Sequence, residues 1–342
     1  MLTNWTAKNC ISMSDLKQIR QKYSLSIPAI DFDLLAAAAL KKNKEFVLAH
    51  PEYRPTICRR LRLAYFLFKR KRGWPMAYIL GHKEFCGLDF LVNRHVLIPR
   101  PETELMVEEA ARQISNFKFL ISKQIPNPNN QILLIDVGTG SGCVPIAIMK
   151  TLKHENPDVK SGSRPCVGTF ATDISGAALR VAEKNAKRHG VKINFLRGDL
   201  LEPVLKKVSS FQFPVSSVII TANLPYLTQN QFAGEPSIQK EPRLALIADN
   251  ADGLSLYEKL FKQITGLLET GNWKLEILAE VDPRQSAAAL TLAKKYFPNL
   301  PTGQAGAIIE IKKDLAGRDR LVLINTETRK HCNTKTQKCS SA

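Results

Sequence analysis

Two stretches of the chain carry residue types that could do chemistry. The first is Thr221-Ala222-Asn223-Leu224-Pro225-Tyr226, which follows the apolar run Ser217-Val218-Ile219-Ile220. Such a run reads as a buried strand, and in an open α/β sheet ligands gather just past the carboxyl ends of strands. The side-chain carbonyl of Asn223 and the main-chain carbonyl of Leu224 are two hydrogen-bond acceptors within one short segment. Pro225 fixes the backbone beside them, and Tyr226 adds a flat ring for stacking. Together these four residues suit a planar –NH2 group held by both of its hydrogens. A strand ending in a plain proline turn would carry the same letters.

The second stretch is Asp136-Val137-Gly138-Thr139-Gly140-Ser141-Gly142, between an apolar strand at 131–136 and a helix at 143–152. Glycines in such a turn let the main chain pass close to a ligand and aim amide N–H groups at it. The spacing is G-x-G-x-G rather than the dinucleotide G-x-G-x-x-G. It favours S-adenosylmethionine (SAM), whose methionine carboxylate suits those amides. Asp173 ends a second strand, at 167–172, where an acid can accept from ribose hydroxyls. Asp199, ahead of Leu200, could accept from an exocyclic amine such as that of adenine, or serve only as a turn residue.

The elements that must position these residues follow from the same patterning. A helix capped by Ser175 and stopped by Gly190 joins the second strand to a third at 192–196. Beyond the strand before Asn223, a helix opens near Asp252-Gly253-Leu254 and runs to 268. A fifth strand spans 274–281, a helix 285–296, and two strands at 307–312 and 320–325 pair as a hairpin. Upstream, helices read at 14–23 and over 33–49, the latter turning at Asn43. The segment from Arg59 to Arg72 has seven basic residues and no acid, interleaved with Leu61, Leu63, Tyr65, Phe66 and Phe68. That is a solvated helix face over a core, or a basic surface for RNA or an acidic protein. A hairpin strand reads at 84–93, and the prolines at 99 and 101 precede a helix to about 122. The division is a helical domain at 1–85, a β-hairpin linker at 86–104, an α/β domain at 105–325 and a polar, disordered tail at 326–342.

With 342 residues the chain can hold two domains. Its 49 Lys and Arg against 31 Asp and Glu give a net charge of +18, which favours an acidic or nucleic-acid-bearing partner. No apolar run is long enough to span a membrane, and the first residues lack the layout of a signal peptide. Seven cysteines without C-x-x-C or metal-type spacing fit reduced thiols in a cytoplasm. A monomer is expected.

Taken together, these motifs resemble the HemK/PrmC family, glutamine methyltransferases that act on peptide chain release factors. The resemblance is carried by Ala77-Tyr78-Ile79-Leu80-Gly81, Gly87-Leu88-Asp89-Phe90, Leu97-Ile98-Pro99-Arg100-Pro101-Glu102-Thr103-Glu104, Asp136 to Gly142, Asp173-Ile174-Ser175, Asn223 to Tyr226, Glu241-Pro242-Arg243-Leu244-Ala245-Leu246, Asp252-Gly253-Leu254 and the segment from Asp314 to Arg320. It implies a Rossmann-like, seven-stranded SAM-dependent methyltransferase domain with an antiparallel last hairpin, behind a small helical N-terminal domain that helps to dock the release factor. It places SAM on Asp136, Val137, Gly138, Thr139 and Gly140, the ribose on Asp173, and adenine near Asp199 and Leu200, and it counts Asn223 among the cofactor's contacts as well. Asn223, Leu224, Pro225 and Tyr226 would grip the glutamine of a Gly-Gly-Gln motif. Leu224 stands where the family usually has proline, which leads us to expect a looser loop, and Leu200 where it often has an aromatic, which should weaken adenine packing. Two other substrates fit the same site chemistry, a glutamine of a ribosomal protein and the adenine amine of DNA or RNA.

Overall fold

The computed structural model describes residues 15–123, 131–154, 167–208, 215–248, 250, 252–268, 274–298 and 307–326. The tail expected at 326–342 lies outside them from residue 327 on.

The described residues open with five helices, α1 (Leu16–Tyr23), α2 (Ala29–Leu40), α3 (Lys44–Ala49), α4 (Ile57–Lys71) and α5 (Met76–Leu80). Asp15 closes a capping box with Gln18, and Asn43 caps α3 through the Phe46 N–H. These helices share one core, in which Leu16, Phe32, Leu35, Leu40, Leu63 and Leu67 are fully buried. In α4 the spacing of Leu63, Phe66 and Leu67 turns one face into that core. Leu61 and Tyr65 face outward. Several cations of the opposite face lie over aromatic rings, Arg62 over Phe66 at 5.3 Å and Arg72 over Phe68 at 4.4 Å.

The hairpin differs from its expected bounds. The segment 84–93 is not one strand, and the hairpin starts inside the expected helical domain, as β1 (His82–Phe85) and β2 (Leu88–Leu91). Cys86 and Gly87 between them have φ of 49° and 70°. Two left-handed residues are the geometry of the tight hairpin turn that matches strand twist. Asn185, from α8 (Gly176–His189), exchanges hydrogen bonds with Leu91 N and O, at 2.8 and 3.0 Å, and so moors the hairpin.

The remaining elements are α6 (Glu104–Lys123), β3 (Gln131–Val137), α7 (Cys143–His154), β4 (Val167–Asp173), then α8, β5 (Asn194–Arg197), α9 (Glu202–Val208), β6 (Val215–Ala222), α10 (Gln229–Gly234), α11 (Ser255–Leu268), β7 (Lys274–Glu280), α12 (Ser286–Tyr296), β8 (Ala307–Lys313) and β9 (Asp319–Thr326). The sheet order is β5-β4-β3-β6-β7-β9-β8, parallel except that β9 runs antiparallel to both neighbours. Alternate residues of β3 serve opposite faces. Ile132 and Leu134 pack with α6 and α7, while Leu133, Ile135 and Val137 pack with α11 and α12. The strand order reverses between β3 and β6, which is where a doubly wound sheet opens a crevice. Among the described residues no helix is long and apolar enough to cross a membrane.

Candidate active site

The crevice at the ends of β3, β4 and β6 holds a cleft of about 370 Å³, within the size range of small-molecule sites. Gly138, Gly140 and Gly142 carry φ of 73°, 55° and 78° across its floor. A Cβ on Gly142 would come within 3.1 Å of Ala182 and 3.2 Å of Ile146, so the turn can lie against α8 only without one.

Four of the turn's amides have partners. The N–H groups of Gly138 and Thr139 both donate to Thr172 O at 2.9 Å, that of Gly140 to Asp173 Oδ2 at 2.9 Å, and that of Gly142 to Thr139 O at 2.8 Å. The expected ligand carboxylate would thus meet a turn whose Gly138, Thr139 and Gly140 N–H groups bond to the end of β4. The turn also offers side chains. The hydroxyls of Thr139, Ser141 and Thr172 are buried at the cleft and make no hydrogen bond of good geometry.

Asp136 is buried beside them and accepts from the Thr221 hydroxyl at 2.6 Å. Burial pushes its carboxyl up to about 6, against the pull of the Thr139 and Thr221 hydroxyls. Asp173 is also pushed up by burial, offset by the N–H groups of Ser175 and Gly140, which hold its two oxygens at 2.8 and 2.9 Å. Asp199 lines the cleft but is ion-paired with Lys259. Leu200, at φ 49°, is buried against the same wall. Val137 lies wholly in the core and only carries the chain into the turn. This set fits SAM: an acid for the ammonium group, buried hydroxyls beside it, and an apolar wall of Ile174, Ala178, Leu200 and Leu256 for the adenine.

A second cleft, of about 660 Å³, lies on the other side of Asn223. Asn223, Leu97, Arg100 and Ala245 border both, and Tyr226 lines only the second. The Asn223 Nδ2 donates to Thr103 Oγ1 at 3.1 Å, so its Oδ1 points the opposite way. Leu224 N–H donates to Tyr257 Oη at 3.1 Å, and that hydroxyl donates to the Glu280 main-chain oxygen. Its side chain is buried with Cδ2 within 3.1 Å of where a Gly138 Cβ would stand. The loop at Leu224 is thus tied down, not loosened. Tyr226 O accepts from Gln285 Nε2 at 2.9 Å. Burial and the nearby Glu280 push the Tyr226 phenol up to about 12.

Several contributors escaped sequence reasoning. Glu241 is buried, accepts from Ile98 N–H at 3.1 Å and pairs with Arg100 at 2.6 Å. It pins the proline-rich linker to the segment after α10. Across the same gap Ala248 N–H donates to Leu227 O at 2.9 Å, and Leu227 N–H donates to Leu246 O at 2.9 Å. Glu280, Thr103, Tyr257 and Gln285 hold the Asn223–Tyr226 segment from behind. Two of these positions fall in motifs already quoted above, Thr103 and Glu241, but no local pattern marks their long-range partners.

A sequence model of the PrmC N-terminal domain matches residues 16–81. Over 264 residues the chain is 34% identical to the release factor glutamine methyltransferase of Bacillus subtilis (strain 168), covering 75% of this chain and 79% of that protein. Over 299 residues it is 32% identical to the enzyme of the same name from Coxiella burnetii, covering 86% and 91%.

Proposed function

The chain belongs to the release factor glutamine methyltransferase family, and on that footing we propose which of its residues perform the methyl transfer. The protein is a SAM-dependent methyltransferase whose substrate is the side-chain amide nitrogen of the glutamine in the Gly-Gly-Gln motif of a peptide chain release factor. The observation that carries the residue assignment is the placement of Asn223 on the wall shared by the two clefts, its NH2 turned back to Thr103.

Bound SAM supplies a methyl group on a sulfonium, a strong electrophile. Asp136 would take its ammonium group, Asp173 its ribose and the Leu200 wall its adenine, and Asp199, paired here with Lys259, would accept from the adenine amine. A carboxamide nitrogen is a poor nucleophile, because its lone pair is delocalised into the carbonyl. Asn223 Oδ1 and the Leu224 carbonyl accept its two hydrogens and turn the nitrogen's lone pair toward the first cleft. The same oxygens favour the positive charge that grows on nitrogen as it pyramidalises, an electrostatic effect arranged in advance. Tyr226 holds the amide plane, and alignment at near-attack distance supplies much of the remaining acceleration. As the N–CH3 bond forms, the S–CH3 bond would break to leave the neutral thioether S-adenosylhomocysteine, and the methylated nitrogen releases one proton to water.

The helical unit α1–α5 serves as the docking element for the release factor, and the basic face of α4 as its contact with acidic protein or RNA. The protein acts as a monomer in the cytoplasm, where release factors work and where the free thiols of Cys58, Cys86 and Cys143 stay reduced.

The test is to incubate the protein with SAM and a bacterial release factor and to weigh the Gly-Gly-Gln peptide. One added methyl on the glutamine supports the reading. Label entering ribosomal protein or nucleic acid instead would keep the chemistry and move the substrate.

A further inference from the structure

We propose that Glu280 is the positioning residue of the substrate grip, its buried carboxylate acting with the Thr103 hydroxyl to fix which way round the Asn223 amide stands. The proposal rests on the role given to Asn223 above.

Glu280 ends β7 one residue past Ala279, which pairs with Ala222 of β6, so Glu280 and Asn223 follow as neighbours at two adjacent strand ends. Its side chain is almost wholly buried, and neither carboxylate oxygen closes a hydrogen bond of full geometry. An acid left in that condition is costly, yet the groups closest to it are the two that matter. The Thr103 hydroxyl and the Asn223 amide both stand near enough to stabilise its charge. Its main-chain oxygen meanwhile holds Tyr257, which holds Leu224. One residue therefore supports both oxygens of the grip, one through its side chain and the other through its backbone.

The logic is one of donors and acceptors. Ionised Glu280 only accepts. It accepts a hydrogen bond from the Thr103 hydroxyl, leaving Thr103 Oγ1 as acceptor for Asn223 Nδ2, and Oδ1 then faces outward. Protonated Glu280 becomes a donor and competes for Asn223 Oδ1, the atom the substrate needs. The other groups facing the carboxylate are Arg320 from β9, Glu102 ahead of α6, and the Tyr226 and Tyr257 phenols. Burial raises the acid to about 7, helped by Glu102 and opposed by Thr103, Arg320 and Asn223. The switch between the two states thus falls near neutral pH.

The experiment uses full-length protein carrying 15N-asparagine. The Asn223 side-chain NH2 signal is assigned by its loss in Asn223→Ala and followed against pH. We expect it to titrate with a midpoint near 7 in the wild type and to stop titrating in Glu280→Gln. In single-turnover transfer to a release factor, the wild-type rate should rise about tenfold from pH 6 to pH 8, the span of one ionisation. Glu280→Gln should be slow at both, with SAM affinity unchanged. Should Glu280→Gln fail to fold, Glu280→Leu removes the acid without leaving a polar group in the buried site and should likewise abolish the titration of Asn223. An Asn223 signal that does not titrate, or titrates unchanged in these variants, overturns the inference. Because the signal needs no substrate, a release factor that takes no methyl would sink the proposed function without touching this result.

Discussion

The main-chain N–H of Leu224 donates to the Tyr257 hydroxyl at 3.1 Å, a bond that a proline at 224 could not make. The residue that sets this chain apart from the usual family motif is thus the one that anchors the motif to α11. Tyr257→Phe should destabilise the fold by about 1–3 kcal/mol, the cost of stranding buried partners. Leu224→Pro should lose the same bond together with the packing of its side chain on the glycine turn. Denaturant unfolding of the two single variants and the double variant gives the coupling between them. Strict additivity would mean that the bond contributes nothing.

Gly253 shows how closely the segment ahead of α11 is laid against the substrate loop. It has φ of 73°, and a Cβ there would overlap the Tyr226 carbonyl and the Gln285 amide. Gly253→Ala must break the Gln285–Tyr226 bond or shift Tyr226. We predict a fall in turnover of tenfold or more, by the sensitivity of transfer to reactant placement, with SAM affinity little changed. Equal losses of both would put Gly253 in the cofactor site instead.

Cofactor affinity should depend on acidity through Asp136. Burial raises this acid to about 6, and an ammonium group binds its ionised form. Affinity for SAM should therefore be level at neutral pH and weaken as pH falls below about 6, by up to about tenfold per unit. Calorimetric titration at several pH values measures it directly. Asp136→Asn should bind weakly throughout, without the acidic decline.

Glu280 also leaves a mark on folding. Burial raises its pKa to about 7 in the fold, against 4.5 for an ordinary glutamate. The native state therefore holds more protons than the unfolded chain between those values. Stability contributed here is full below about 4.5 and falls as pH rises to about 7, by roughly 3 kcal/mol, after which it is flat. Glu280→Gln should remove that slope and melt at a higher temperature than wild type near pH 8. A slope retained in the variant would assign it to other groups.

Much of this was legible in the sequence, and the reasons are local. The buried strands β3, β4, β6 and β7 are apolar runs, and the ends of α8 are written in Ser175 and Gly190. The helices α9 and α10 were not read, because seven and six residues give too little periodicity. The hairpin was misplaced because Cys86 takes a left-handed conformation that its type does not suggest. The glycine turn was recognised, but the partners of its Gly138, Thr139 and Gly140 amides lie on β4, a pairing that spacing does not encode. Thr103, Tyr257, Glu280 and Gln285 are single letters from four segments, and only folding brings them behind Asn223.

The most direct test of the account is to compare turnover and SAM affinity in Asn223→Ala. The proposed grip predicts a loss of methyl transfer to the release factor glutamine of about a hundredfold or more, typical for removing a preorganised polar contact, while SAM binds nearly as in the wild type. If turnover and SAM affinity fell in step, Asn223 would be a cofactor residue and the assignment of the grip would be wrong.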